Sequence, residues 1–463
     1  MKKVLVLFFV CVISSTLRGQ ESSDSIMLRK IHDEVLTNAS CYENLRYLCK
    51  QIGHRVAGSE SAEKAIQWGK EALLKAGADT VFLMPVEVPH WVRGSTEKLF
   101  YQSGNTTKEL ATTALGGSVG TTGVLTAKVV EVKSIEELKS MGSSKVSGKI
   151  VFFNKAMDAT LMNTGAAYGG AWSIRGNGPA EAARYGAVGC VIRSLSTADD
   201  NFPHTGSTNY NDSVPKIPAA ALSVVGAREL SMALKADPDL TLQLELSCQL
   251  FPNIMQANVV GEIRGRSQEY ITVGGHLDSW DIGEGAHDDG TGIVQSIEVI
   301  RTLKALNYKP ECNVRAVLFI NEEFGNDGGE TYADVCKKQG LYHRAAIESD
   351  GGGFTPNGFN CDVPDSLYPE ISSWLSILEP YNLLRFRRGG SGVDIRPLKD
   401  DRIALFGLMV DSNRYFDFHH SKNDVFENVN LRELNLGAAA MTSLVILIDK
   451  RMENQELKGQ MKK

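Results

Sequence analysis

The chain has 463 residues, too many for one ordinary core, so two domains are the natural expectation. Hydrophobic residues make up 43% of it and charged residues 22%, the balance of a soluble globular protein and not of a disordered or membrane-embedded one. The formal net charge of -6 argues against a nucleic-acid partner, which would need a clustered excess of Lys and Arg.

At the N-terminus Lys2 and Lys3 precede an apolar run from Val4 to Ile13, followed by Ser14, Ser15, Thr16 and Gly19. A positive opening, a short apolar run and a small-residue zone are the layout of an export signal, expected over residues 1–20. The run is well short of the ~20 residues that span a bilayer, so no stable membrane insertion is expected. Cys11 lies inside it without the small-residue approach of a lipid-modified cysteine. A soluble exported protein, periplasmic or extracellular, is therefore expected. Removing that segment takes Cys11 from the eight cysteines and leaves an odd seven. There is no CxxC pair, so no cysteine metal site is supported. Cys41 and Cys49 fall in a helical stretch, where eight residues separate their Cα atoms by about 12 Å, beyond the ~7 Å reach of a disulfide. Cys190, in GAVGCVIRS, reads as a buried strand thiol.

From Ile26 to Ala76 apolar residues recur at helical spacing, in MLRKIHDEVL, ENLRYLCKQI and AEKAIQWGKEALLKAG. Gly53 and Gly58 divide these helices, a helix start lies between Ser59 and Glu63, and VFLMPVEVP follows as a strand. From about Thr112 to Cys248 the character changes to short β-type runs, GVLTAKVVEV, GKIVFFN, GCVIRS and IPAAALSVV, interspersed with helical PAEAARYGA and ARELSMALKA. This middle segment, 112–248, reads as an inserted β-rich domain, with 21–111 and 249–463 forming the other. After Asn258, YITVGGHLDS, NVRAVLFINEE, RAAIESD and ALFGLMVDS alternate with helix-like TGIVQSIEVIRTLKAL and PEISSWLSILE. Strands alternating with helices imply an α/β fold, a mixed, mostly parallel sheet flanked by helices on both faces.

Several polar positions each follow an apolar strand-like run. His276 ends ITVGGHLDS, Asp288 lies in the loop GAHDDGTG, Glu322 and Glu323 end AVLFINEE, Asp350 ends AAIESD, and His420 follows MVDSNRYFDFHHS. Sites in open α/β sheets form beyond the carboxyl ends of strands, so these groups can converge. Two imidazoles with several carboxylates and no thiolate suit a zinc pair better than magnesium. A two-metal site needs one carboxylate to bridge and terminal ligands on each ion, and His276, Asp288, Glu323, Asp350 and His420 meet that count. At a strand end neighbouring side chains diverge, so one of Glu322 and Glu323 can ligate while the other serves as general base. Each motif alone has a plainer reading: HLDS a surface turn, DDG a solvated turn, EE a charged helix start, HH a histidine in an aromatic pocket. Their joint order and placement is what is hard to obtain by accident.

GGHLDSW, GAHDDGTG, INEEFG, ESD and HHSKND resemble, in that order, the motifs of the co-catalytic zinc exopeptidases, which include leucyl-type aminopeptidases and glutamate carboxypeptidases. IGHRVAGS, VEVPHWVRG, PHTG, VPKIPAAALSV and RYFDFHHS extend the resemblance to the plasma glutamate carboxypeptidase branch over essentially the whole mature chain. It implies two zinc ions per chain, with His276, Asp350, Glu323 and His420 as terminal ligands and Asp288 as the bridging carboxylate. Within GAHDDG it selects Asp288 over Asp289, and within HHS it selects His420 over His419. It gives Glu322 the general-base role in attack by a metal-bridging hydroxide, and Asp278 the task of orienting His276 from behind. His287, where many relatives differ, is expected as an extra polar group of the wall. The middle segment is similar to a protease-associated domain, which implies substrate gating. The implied substrates are short unblocked peptides, dipeptides above all, with Arg385 to Asp401 as candidates for contacting a substrate carboxylate. The branch is dimeric, so a homodimer is expected. Two other readings are a single-zinc glutaminyl cyclase-like enzyme and a non-catalytic receptor-like binding protein.

Overall fold

The computed structural model describes residues 23–210 and 213–451; the export signal expected over 1–20 lies outside the described residues. The helical periodicity of the first segment appears as Ser23–Asn38, Cys41–Tyr47 and Glu60–Ala76. Ser59 caps the last of these, its side chain accepting the Ala62 amide at 3.0 Å, and Gly77 closes it at φ 96.

Two mixed eight-stranded sheets follow. The first runs, edge to edge, Thr80–Val92, Gln249–Ile263, Asn313–Phe319, Glu269–His276, Tyr342–Glu348, Ala404–Val410, Pro356–Asp362, Phe386–Arg388. Its four middle strands, Asn313–Phe319 to Ala404–Val410, are parallel, whereas the pairings of Thr80–Val92, Gln249–Ile263 and Pro356–Asp362 bring in antiparallel neighbours.

Strand periodicity puts helices on both faces of this sheet. Val314, Ala316 and Leu318 pack into one core with Ile293, Ile297, Leu444 and Ile448, while Val317 and Phe319 pack into another with Tyr332 and Cys336. The helices Thr291–Ala305 and Leu431–Arg451 lie on the first face, and Asp327–Lys338 lies on the second. Leu431–Arg451 is long and apolar enough to cross a membrane, yet most of it is buried against the sheet and the helices Thr291–Ala305 and Ser23–Asn38. Asp449, near its end, accepts the amides of Glu311 and Cys312 and the Tyr308 hydroxyl, which ties the helix to the entry of a central strand.

The second sheet draws all its strands from residues 97–246, in the order Thr106–Glu109, Glu97–Ser103, Thr241–Leu246, Leu125–Val132, Ile150–Phe153, Gly189–Arg193, Ala219–Leu222, Thr112–Ala114, so it begins ahead of the boundary expected at 112, because Glu97–Ser103 pairs with Thr241–Leu246. The chain leaves the first sheet at Val92 and re-enters it at Gln249, and these two residues are partners across the same strand pair. The seven described cysteines are all free and buried, Cys190 within the strand Gly189–Arg193.

Candidate metal centre

The parallel strands aim their carboxyl ends at one place. His276 is the last residue of Glu269–His276. Glu322 and Glu323 follow Phe319, Asp350 follows Glu348, and His419 and His420 close the loop that leaves Val410. Asp288 lies in the turn Ala286–Gly290, directly ahead of the helix Thr291–Ala305, and its peptide bond to Asp289 is cis.

These side chains meet. Asp288 Oδ1 is 3.1 Å from His276 Nε2, and Asp288 Oδ2 is 3.3 Å from His420 Nε2. His276 Nε2 also lies 3.7 Å from Asp350 Oδ1, and His420 Nε2 lies 3.0 Å from Glu323 Oε2. Two triads share the Asp288 carboxylate, one with His276 and Asp350 and one with His419 and His420, each with donor atoms within 4.8 Å of one another, and Glu323 joins the second through His420. Donors bound to one tetrahedral zinc at ~2.0–2.1 Å stand roughly 3.3 Å apart, the spacing seen here.

Further groups hold this arrangement. Asp278 is fully buried, and its carboxylate accepts the amides of Glu322 and Glu323 at 3.1 and 3.2 Å. Its backbone carbonyl, 3.0 Å away, accepts from His276 Nδ1, while its carboxylate stays 3.7 Å from that nitrogen. Asp424 accepts the amides of His287 and Asp288, and Asp289 those of His276 and Gly292. Arg55, fully buried, donates to the carbonyls of Gly53, Leu277, Glu284 and Gly285, clamping together the loops after His276 and before Asp288. Reasoning from the sequence missed the parts played by Asp424, Asp289 and Arg55. The SKND and HDDG runs contained the two acids, but nothing in IGHRVAGS marks its arginine as internal.

Charge and satisfaction both suit a cation. Asp278, Asp288, Asp289 and Glu323 are buried and Asp350 and Glu322 half-buried, an excess of acidic groups over the cations Arg55 and Arg175. Glu323 Oε1 and Asp350 Oδ1 are buried without a hydrogen-bond donor, and Asp288 Oδ2 has only the His420 imidazole, 3.3 Å away. Burial and the negative charges of Asp350, Glu323 and Asp278 push Glu322 well above the ordinary carboxylate range. Burial acts on Asp288 in the same sense, but its bonds to His276 and His420 hold it well below that range. The donor set is imidazole nitrogen and carboxylate oxygen without sulfur, which fits zinc.

His287 is not the wall group expected. Its Nδ1 accepts the Gly353 amide at 3.1 Å, its Nε2 faces the Asn428 carbonyl at 3.2 Å, and its ring stacks on Phe354. Burial pushes it down to about 4, so it is a neutral packing residue. His419 stands nearer the centre than its sequence suggested, its Nε2 3.7 Å from Asp288 Oδ2 and its ring stacked on His420 at 3.5 Å. Next to Asp350 opens a cavity of about 690 Å³, with Arg385, Arg387 and Asn360 on one side and Met162, Asn163 and Gly165 from the segment of the second sheet on another.

Comparison with known proteins bears on this site. Residues 258–445 match the sequence profile of peptidase family M28. Carboxypeptidase Q of Bos taurus is 33% identical over 410 residues, which are 88% of this chain and 84% of that protein. Carboxypeptidase Q of Xenopus laevis is 34% identical over 404 residues, 87% and 84% of the two chains. The crystal structure of a peptidase M28 precursor from Shewanella amazonensis SB2B is similar with a TM-score of 0.89 at 30% identity, covering 93% of this chain and 98% of that one. An aminopeptidase from Aneurinibacillus sp. strain AM-1, 18% identical, shares the fold with a TM-score of 0.63 over 92% and 96% of the chains.

Proposed function

The chain belongs to peptidase family M28 and is a zinc metallopeptidase, and from that premise we propose a two-zinc exopeptidase that hydrolyses short unblocked peptides, dipeptides above all. The observation that carries this reading is the position of Asp288, whose two oxygens face two different imidazoles. One zinc would be held by His276, Asp288 and Asp350, the other by His420, Glu323 and the same Asp288. Bound there, zinc would polarise the scissile carbonyl and bring the pKa of water towards neutrality.

The protein's own groups complete the reaction. The Glu322 carboxylate accepts a proton from the attacking water as the new C–O bond forms, and returns it to the amine nitrogen as the C–N bond breaks. Asp278, accepting the amides of both glutamates, fixes the backbone from which their side chains leave. Arg385 and Arg387 supply the positive charge that would receive a substrate carboxylate at the far side of the cavity. The sheet built from 97–246 plays the part of a protease-associated domain, its segment supplying Met162, Asn163 and Gly165 to the cavity wall. Export rests on Lys2, Lys3 and the apolar run behind them.

Metal analysis with a dipeptide panel, each peptide also N-acetylated and C-amidated, tests the proposal. Two zinc ions per chain, with hydrolysis lost on either blockage, is the expected result. Turnover indifferent to C-amidation would remove the carboxylate role of Arg385 and Arg387 and leave an aminopeptidase. One zinc and no hydrolysis would replace the whole reading with a cyclase-like one.

A further inference from the structure

The two histidines of the centre are oriented by different parts of the molecule. A metal-bound imidazole almost always donates its second ring N–H to a carbonyl or carboxylate, which fixes its tautomer and direction. For His276 that carbonyl belongs to Asp278, two residues along the same loop, at 3.0 Å. For His420 it belongs to Thr205, at 3.2 Å, a residue of the segment that forms the second sheet. Arg175 Nη1, which can only donate, lies 3.3 Å from the same nitrogen, so the Thr205 carbonyl and the guanidinium compete for His420 Nδ1, and only the Thr205 partnership puts the proton on Nδ1 and leaves a lone pair on Nε2.

The contact is reciprocal. The Thr205 amide donates to the His420 carbonyl at 2.9 Å, and His204 Nδ1 donates to the His419 carbonyl at 2.6 Å. His420 is also a non-glycine residue at φ 62, a left-handed conformation that costs on the order of 1 kcal/mol and persists only where neighbours impose it. The grip on both carbonyls of this dipeptide comes from outside its own loop.

The gripping loop is itself anchored deep in the second sheet. The Ser194 hydroxyl accepts the His204 amide at 2.8 Å and donates to Leu222 O at 2.6 Å, while Thr205 Oγ1 donates to Ala114 O at 2.7 Å. Gly206 follows at φ 134, where a Cβ would stand 2.4 Å from Arg175 Cζ, and Arg175 Nη1 lies 3.4 Å from the Thr205 carbonyl. His204, Thr205 and Arg175 are all buried.

We propose that His204 and Thr205 are positioning residues for the zinc ligand His420, so that the segment of the second sheet builds one of the two metal sites and leaves the other, centred on His276, to the first sheet. This rests on the reading of His420 as a ligand. Its consequence is selective: a fault in the His204–Thr205 loop weakens one zinc and spares its neighbour.

The test is zinc affinity measured by chelator competition on the folded full chain, alongside circular dichroism and the Tm of the metal-free protein. His204→Ala should keep one zinc at wild-type affinity and hold the second about 10–100-fold more weakly. Its kcat should fall with KM little changed, and added zinc should restore turnover. His204→Asn, which returns an N–H donor to the His419 carbonyl, should recover most of the affinity. Thr205→Pro removes the amide that holds His420; should it fail to fold, the His204 pair decides alone. Both zinc ions at wild-type affinity in folded His204→Ala, or both weakened equally, would overturn the proposal. His420→Ala separates the underlying reading: it should lose the second zinc outright, and if it keeps both, the assignment of His420 as a ligand fails first.

Discussion

The carboxylate of Asp278 accepts the amide of Glu322 at 3.1 Å, so the loop that follows His276 also fixes the backbone of the proposed general base. Glu322→Gln keeps shape and this backbone bond but cannot take a proton. It should retain wild-type zinc content and lose about 10²–10⁴-fold in kcat, checked by metal analysis beside single-turnover assays. Asp278→Ala frees the amides of Glu322 and Glu323 together, so zinc affinity and turnover should both fall, affinity by about 10–100-fold.

Asp288 stands in both triads, and its replacement should act on both metal sites. Asp288→Asn should weaken both sites and leave no zinc after dialysis, whereas Asp350→Ala should lose one ion and keep the other. Isothermal titration of the metal-free variants with zinc distinguishes the two patterns. Loss of a single ion in each would mean that Asp288 is terminal and not shared.

Trp280 lies against Gly116, where an added Cβ would be 1.9 Å from indole Cη2. The same indole sits edge-on to the His420 ring at 5.7 Å. Gly116→Ala should therefore destabilise the fold by about 1–3 kcal/mol through overpacking and lower kcat as the indole moves. Thermal denaturation with parallel kinetics checks it. An alanine variant of unchanged Tm and turnover would show that the packing there yields easily.

Acid should weaken the fold through histidines far from the metal centre. Burial pushes His32 down to about 4 and His343 to about 3, from an ordinary value near 6.5. The unfolded chain then binds the extra protons, so stability is unaffected above about pH 6.5 and falls as pH drops towards 3–4. Each site should contribute on the order of 3 kcal/mol across that window. Tm against pH for His32→Gln and His343→Gln should show a shallower acid limb than the wild type. An unaltered slope in both would assign acid sensitivity elsewhere.

Much of the fold was legible because its signals are local. YITVGGHLDS, NVRAVLFINEE, RAAIESD and ALFGLMVDS read as strands and are the four parallel ones, since apolar runs ended by Gly or acidic groups leave few alternatives. The convergence of His276, Asp288, Glu323, Asp350 and His420 followed from the rule that strand ends gather at one sheet edge. What stayed hidden depends on long-range packing. Gln249–Ile263 takes a run interrupted by Pro252 and by Gln and Asn residues, QLFPNIMQAN, into a strand because Thr80–Val92 lies beside it. Arg55 is an internal clamp only because the Gly53 carbonyl of its own loop and three carbonyls of the distant 277–285 loop surround it. The bond from His204 to the His419 carbonyl spans 215 positions, and no periodicity announces it.

Val92 and Gln249 sit side by side, so the excursion between them begins and ends at one doorway. Such a loop is, in connectivity, removable: a tight turn there would keep every strand pairing of the first sheet and cost little in closure entropy. On the positioning role proposed above, an excised chain would leave the His419–His420 carbonyls without the Thr205 amide and His204 imidazole that hold them, so the excursion would act as a subcontractor to the metal site.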